Sequence, residues 1–355
     1  MSSSLPNRRH PVRGYLYIAI ATFLWGIAAT LGRAVFTGRL LPFGHALRPI
    51  DPLILSQSRT TLSLMALLPF LGARRGWRSL KLPVADLGKC FLLGVLGVAA
   101  SNYFYYFAIQ KTNVATAIIL QYTAPVWVLL YMAARGLQKP SAKRVLAVGL
   151  AVVGSALAIG VIGTGRFRMN AIGVVAAILA AFSFAFYNVA GHGILARYDR
   201  WKVLLWTLLA ASVFWVIVNP PWKILGAHYS GAQWMFLLVF SLISVLVPFS
   251  FYFAGLQHLE PTRAIVASCL EPVFSIIIAA IVLGEILRPL QTLGIIIVLV
   301  AIVIVQMPDR TARPSIRHPY VLRFTILSSK GGGRNRTVAY SICSAVPYHL
   351  ATPPR

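Results

Sequence analysis

The sequence predicts an all-α integral membrane protein, with ten transmembrane helices arranged as two inverted five-helix repeats. Three observations carry that expectation. The first is composition: 58% of the residues are hydrophobic and 11% are charged, whereas soluble globular domains carry about 25% charged residues. The second is length, because windows of about 20 mostly apolar residues, enough to cross a bilayer, recur along the whole chain. The third is repetition. At a constant offset, Phe104, Tyr105, Gln110, Ala117, Ile118, Pro125, Val126 and Ala133 meet Phe251, Tyr252, Gln257, Ala264, Ile265, Pro272, Val273 and Ala280.

Residues 1–13 form a short, Arg-containing N-terminus ahead of an apolar run. That run is longer than a signal-peptide core and lacks a convincing cleavage site, so it is expected to be a retained first span. The first repeat, 14–162, holds spans at 14–34, 52–72, 89–109, 112–133 and 143–162. The second, 171–307, holds spans at 171–191, 202–219, 233–255, 262–283 and 289–307. The two openings match weakly: Gly14, Ala21 and Phe23 fall on Gly173, Ala180 and Phe182, and Trp25 meets Phe184. Because five is odd, the second copy enters the membrane from the opposite side, which makes the repeat inverted.

With the N-terminus inside, the inner segments collect twice as many Lys and Arg as the outer ones. The positive-inside rule then puts both termini in the cytoplasm of a cell (inner) membrane. Arg39 and Arg48 sit in a fairly long outer loop and dilute this bias. Residues 308–355 are basic, rich in Pro, Gly and Ser, and without a counterpart in the first repeat. They are expected to be a disordered cytoplasmic tail.

A formal net charge of +26 would elsewhere point to nucleic acid. Here the Lys and Arg lie mostly between apolar runs and in the tail, so the expected partners are anionic membrane lipids, and no nucleic acid is expected. Cys90, Cys269 and Cys343 are scattered and imply neither a disulfide framework nor a metal site. No phosphate-binding GxxxxGK[ST] loop and no HExxH or GxSxG in a supporting context is present. No enzyme activity, metal or cofactor is therefore expected.

The candidate site starts from two prolines deep in apolar runs, Pro125 and Pro272. A proline inside a helix frees a backbone carbonyl that lipid cannot satisfy. Breaks at corresponding places in two halves point to a shared cavity near the bilayer midplane. Only seven acidic residues exist, and Asp51, Asp86, Asp199 and Asp309 lie at span ends or in loops. Glu260 and Glu285 flank the ninth span, and Glu285 suits a structural cap in a short turn. Glu271, beside Pro272, falls near the centre of that span, where facing lipid would cost at least about 2.5 kcal/mol. It is expected to bind a proton or cation, or to make a hydrogen bond or ion pair between helices.

Arg59 is the one cation well inside a span. Its planar fork suits a carboxylate or phosphate, so it either binds an anionic substrate group or pairs with Glu271. Trp25, Asn102, Tyr103, Gln121 and Tyr122 are too deep to be interface anchors and are expected to line the cavity. Asn188 also lies at apolar depth, and His192 is expected at the interface.

These residues resemble a known family. QYTAPVWVLLYMAARG and LEPVFSIIIAAIVLGE, each followed by a turn and a Gly-rich last helix, are similar to the EamA domain of the drug/metabolite transporter superfamily. The openings GYLYIAIATFLWG and GVVAAILAAFSFAFY, and the Arg of the second span, agree with it. The resemblance covers about residues 14–307 as two copies. It implies a secondary transporter that moves a small organic metabolite, such as an amino acid, by alternating access. The family's span-two Arg maps to Arg59, its repeat prolines to Pro125 and Pro272, and its Gly-Glu pair to Gly284 and Glu285. The first copy departs from that pair, reading Gly136, Leu137, Gln138. Proton coupling through Glu271 and a homodimer are further expectations. Two other classes stay open: a lipid-headgroup flippase using Arg59, and a non-transporting membrane scaffold working through the tail.

Overall fold

The computed structural model describes residues 10–36, 50, 52–112, 114–159, 170–283 and 288–307. Asp51, Gly284, Glu285, Asp309, Cys343, the loop holding Arg39 and Arg48, and the segment 308–355 lie outside the described residues.

All the regular elements described are helical. The first part of the chain forms α1 (Pro11–Phe36), α2 (Pro52–Arg75), a single 3-10 turn, α3 (Val84–Leu92), α4 (Ala100–Lys111), α5 (Val114–Gln121), α6 (Ala124–Ala134) and α7 (Ala142–Ala158). The second forms α8 (Ala171–Leu195), α9 (Arg200–Val218), α10 (Pro221–Leu225), α11 (Gly231–Ser241), α12 (Val247–His258), α13 (Pro261–Ser268), α14 (Leu270–Leu283) and α15 (Pro289–Gln306). A π-helical turn, Leu93–Ala99, runs α3 into α4, and another, Leu242–Leu246, runs α11 into α12.

Among the described residues, eight helical stretches are long and apolar enough to cross a membrane. They correspond to the expected spans other than the second and fifth. Those two are α2, which carries Arg59, Arg74 and Arg75, and α7, which has 17 residues.

The local sequence explains where the helices begin. Proline, whose fixed φ and missing N–H suit a first helical position, opens α1, α2, α13 and α15. Elsewhere a side-chain oxygen satisfies an orphan N–H. Asn170 Oδ1 accepts from Ile172 N at 3.0 Å and Gly173 N at 3.2 Å, and Asp199 Oδ1 accepts from Trp201 N at 3.0 Å. Ser230 and Gln233 form a reciprocal capping box at α11.

Helices in lipid gain little from burying apolar surface against one another, so close backbone approach between small residues takes over. The α7–α15 pair shows this best. A Cβ on Gly294 would lie 2.3 Å from Ala158 N and 2.7 Å from Gly154 O. Helix α1 packs in the same way: a Cβ on Gly26 would lie 2.9 Å from Ser275 N of α14, and one on Gly255 of α12 would lie 2.5 Å from Ile18. Gly94 approaches Thr207 O of α9, leaving only 2.3 Å for a Cβ. Around these contacts, fully buried Tyr187, Trp215, Tyr252 and Phe253 fill the middle of the bundle.

Candidate functional site

A cavity of about 560 Å³ opens between the two parts of the chain, and its lining residues come from α1, α2, α4 to α6, α8 and α11 to α15. That volume is typical of small-molecule sites. The helix-end residues that line it are Ala29 of α1, Leu55 of α2, Ile109 of α4, Ile118 of α5, Ile159 after α7 and Gln291 of α15. All lie toward the end of the bundle that holds the C-terminal half of α1.

Four irregularities of the backbone face this space. Pro125 and Pro272 both line it, and helical hydrogen bonding is interrupted just before each. At the first, Thr123 N bonds Leu120 O at 3.2 Å and Val126 N bonds Thr123 O at 2.9 Å, both three residues apart. At the second, Cys269 N bonds Val266 O at 3.2 Å. Residues Gln121 and Ser268, four positions before the prolines, lose their usual i+4 donor and both line the cavity. The two π-helical turns supply the other irregularities. Gly97 and Val98 come from one and Ser244 from the other. Here backbone carbonyls are diverted to side chains: Trp25 Nε1 donates to Ser244 O at 3.2 Å, and Asn102 Nδ2 donates to Val98 O at 2.9 Å. Such single-turn bulges cluster at functional sites in other proteins. No periodicity in the sequence announces them.

Among the described residues the cavity holds one cation and one carboxylate, set among aromatic, aliphatic and uncharged polar side chains. Arg59 donates through Nη2 to Asn102 Oδ1 and lies over the Tyr106 ring, 5.9 Å from its centroid. Its Nε is buried and has no hydrogen-bond partner among the described residues. The Glu271 carboxylate lines the same space as the Tyr122 ring. Arg59 and Glu271 form no ion pair among the described residues, so of the two expected arrangements the direct pair is absent. Trp25, Tyr105, Tyr106, Phe184, Tyr187 and Phe249 complete the wall.

Of the seven side chains expected to line the cavity, Arg59, Glu271, Trp25, Asn102, Gln121 and Tyr122 are brought together there. Tyr103 is not. Its ring stacks on Phe107 at 6.2 Å and meets Phe214 and Trp215 of α9. The reason is azimuthal: successive helical residues point about 100° apart, so Asn102, Tyr105 and Tyr106 face the cavity while Tyr103 faces α9. His192 lies in the last turn of α8, where α12 encloses it to 4% exposure, and its Nδ1 lies 2.8 Å from Leu256 O. Asn188 is buried behind the wall, accepting from the Tyr252 hydroxyl.

The opposite end of the bundle is tied by polar bonds between the two parts of the chain. Gln138 Nε2 donates to Glu260 Oε2 at 2.9 Å, Thr262 Oγ1 donates to Gln138 Oε1 at 2.8 Å, and Arg144 lies 3.5 Å from the same Glu260 oxygen. Arg75 pairs with Asp199 at 2.6 Å, and Trp206 Nε1 donates to Leu80 O at 2.9 Å. Tyr198 donates to Asp86, and that bond holds the Tyr198 hydroxyl above its ordinary pKa. Gln138, which stands where the second part of the chain has Glu285, thus accepts and donates at once, which a carboxylate does not.

The sequence profile of the EamA-like transporter family matches residues 12–160 and again residues 171–307. An uncharacterized inner membrane transporter of Salmonella typhimurium, YicL, is 23% identical over 227 residues, covering 63% of this chain and 75% of that protein. The threonine/homoserine exporter RhtA of Escherichia coli is 26% identical over 204 residues, covering 56% of this chain and 65% of the exporter. An uncharacterized transporter of Clostridium kluyveri is 22% identical over 307 residues, covering 82% of this chain and 92% of its own. One solved protein structure superposes with a TM-score of 0.67 at 18% identity, over 84% of this chain and 97% of the other, a likeness of fold. The chain belongs to the EamA-like transporter family of the drug/metabolite transporter superfamily, and it is a multi-pass membrane transporter.

Proposed function

We propose that the protein is a secondary transporter that moves a small zwitterionic metabolite, an amino acid or a close relative, through the central cavity by alternating access. The observation that carries this reading is the cavity itself, where Arg59 and Glu271 sit apart among aromatic, apolar and uncharged polar side chains. A guanidinium with an unpartnered Nε offers a fork to a carboxylate. A carboxylate a few side chains away offers an acceptor to an ammonium group. The likeness to a threonine/homoserine exporter is in keeping with this substrate class.

In this proposal α2 and α7 join the eight apolar stretches to give ten spans in two inverted repeats, 14–162 and 171–307. Both termini are cytoplasmic, as the Lys and Arg bias favours. The bonds among Gln138, Arg144, Glu260 and Thr262 form the cytoplasmic gate, closed here. The two halves rock about the breaks at Pro125 and Pro272 and about the paired π-helical turns. Glu271 carries a coupled proton, taking it up as substrate leaves.

Thermal stability of the purified full chain in detergent tests the substrate class, across amino acids, amines, organic acids, nucleotide sugars and lipid headgroups. A ligand that binds only the folded state stabilises it by about 2.7 kcal/mol at a hundred times its Kd. A shift with zwitterions that Arg59→Ala abolishes, without itself unfolding the protein, supports the reading. A shift with headgroups alone, or with none of the soluble classes, overturns it.

A further inference from the structure

Away from the cavity, at the gated end, a continuous stripe of cations and rings crosses four helices. The Arg74 guanidinium lies over Phe70 at 5.7 Å, Phe70 meets Trp201 at 6.4 Å, and Arg200 lies over Trp201 at 5.2 Å. Arg200 also lies over Tyr17 at 6.0 Å, and Tyr17 stacks on His258 at 5.9 Å. The ends of α2 and α12 and the starts of α1 and α9 are thereby joined.

Charge pairing is uneven along this end. Its three described carboxylates are engaged: Asp199 with Arg75, Asp86 with Lys89 and Tyr198, and Glu260 with Arg144 and Gln138. Arg74 and Arg200 have no carboxylate partner among the described residues. A guanidinium held beside rings and without a carboxylate keeps N–H donors for another anion, and its planar fork grips phosphate. Here two such forks bracket a Phe–Trp pair. Phe70 is 49% exposed in the last two turns of α2, just before the basic end formed by Arg74 and Arg75, and aromatic side chains collect where a bilayer passes from acyl chain to headgroup.

We propose that this stripe is a binding site for an anionic phospholipid, with Arg74 and Arg200 on the headgroup phosphate and Phe70 and Trp201 against the upper acyl chains. The site is separate from the cavity and does not depend on what the cavity carries. A lipid seated there joins α1, α2, α9 and α12 from outside, at the end where the two parts of the chain are bonded together.

The test is thermal stability of the full chain in mixed micelles, titrated with phosphatidylglycerol or phosphatidylcholine. Phosphatidylglycerol is expected to raise the Tm and phosphatidylcholine is not. The pair Arg74→Gln with Arg200→Gln is expected to weaken the apparent affinity by roughly thirtyfold, since each basic residue near an anionic surface contributes about 1 kcal/mol. The pair Arg135→Gln with Lys139→Gln removes the same charge elsewhere at that end and is expected to leave the shift intact. Equal shifts with both lipids, or equal loss in both variant pairs, overturns the site. So does an equal shift with inorganic phosphate, which would make it an anion site without a lipid. Should the Arg74/Arg200 variant not fold, lipid analysis of the purified wild type decides: co-purified phosphatidylglycerol enriched over the source membrane supports the site, and no enrichment overturns it.

Discussion

Arg59 and Asn102 show what a single residue can and cannot reveal before folding. Depth in a span is readable from the chain, because an arginine seven residues inside an apolar run is costly unless it faces protein or water. Direction is not, which is why Tyr103 turns to α9 while Tyr106 on the same helix lines the cavity. Two predictions belong here. Arg59→Ala should weaken substrate binding roughly tenfold to a hundredfold, the loss of a charged hydrogen bond worth about 1.5–3 kcal/mol. Arg59→Lys, which keeps the charge and loses the fork, should recover only part of that, and the ligand-induced Tm shift measures both. Glu271→Gln removes the titrating group while keeping a hydrogen-bonding side chain in the cavity. Transport by this variant should lose its pH dependence; normal transport with an unchanged pH profile would sink proton coupling through this residue.

Helices α5–α6 and α13–α14, and the two π-helical turns, carry the site at the level of elements. The proline breaks were legible because proline has a local meaning that survives any context. The π-helical turns were not, since a one-residue insertion in the hydrogen-bond ladder is chosen by packing on both sides, here against Tyr187 and Thr207. Close packing of α7 on α15 gives a prediction of its own. Gly294→Ala forces a methyl group against Ala158 N and Gly154 O and should destabilise by roughly 1–3 kcal/mol, the usual cost of overpacking. Gly149→Ala on the same α7 meets nothing within 4 Å. It should leave the Tm unchanged or slightly higher, because alanine is the better helix former. Equal effects from the two would show that the α7–α15 contact is not tight.

For the whole molecule, the proposed gate is the feature to break. Glu260→Ala releases Gln138 and Arg144 together and leaves only the Thr262–Gln138 bond across this end. The Arg144 pair is partly exposed and contributes about 1 kcal/mol at most, so the shift in population is modest, near fivefold. Hydrogen exchange at the starts of α7 and α13 should quicken accordingly, with α15 unchanged; equal exchange in variant and wild type would leave these bonds no gating role. Deleting residues 310–355 should leave transport intact, because the cavity, the breaks and the gate all lie within the two matched segments. Loss of transport on deletion would bring the tail into the mechanism.

Composition, span length and two prolines determined the membrane class, the helical content and where two helices are interrupted, because each depends on properties that act along the chain. Tertiary structure decided which face of each helix meets the cavity, that Arg59 bonds Asn102 and not Glu271, that His192 is enclosed, and which polar pairs join the two parts at one end. Those outcomes depend on rotation about helix axes and on contacts between residues far apart in the chain, such as Trp25 with Ser244, 219 positions on. A one-dimensional pattern holds no coordinate for either.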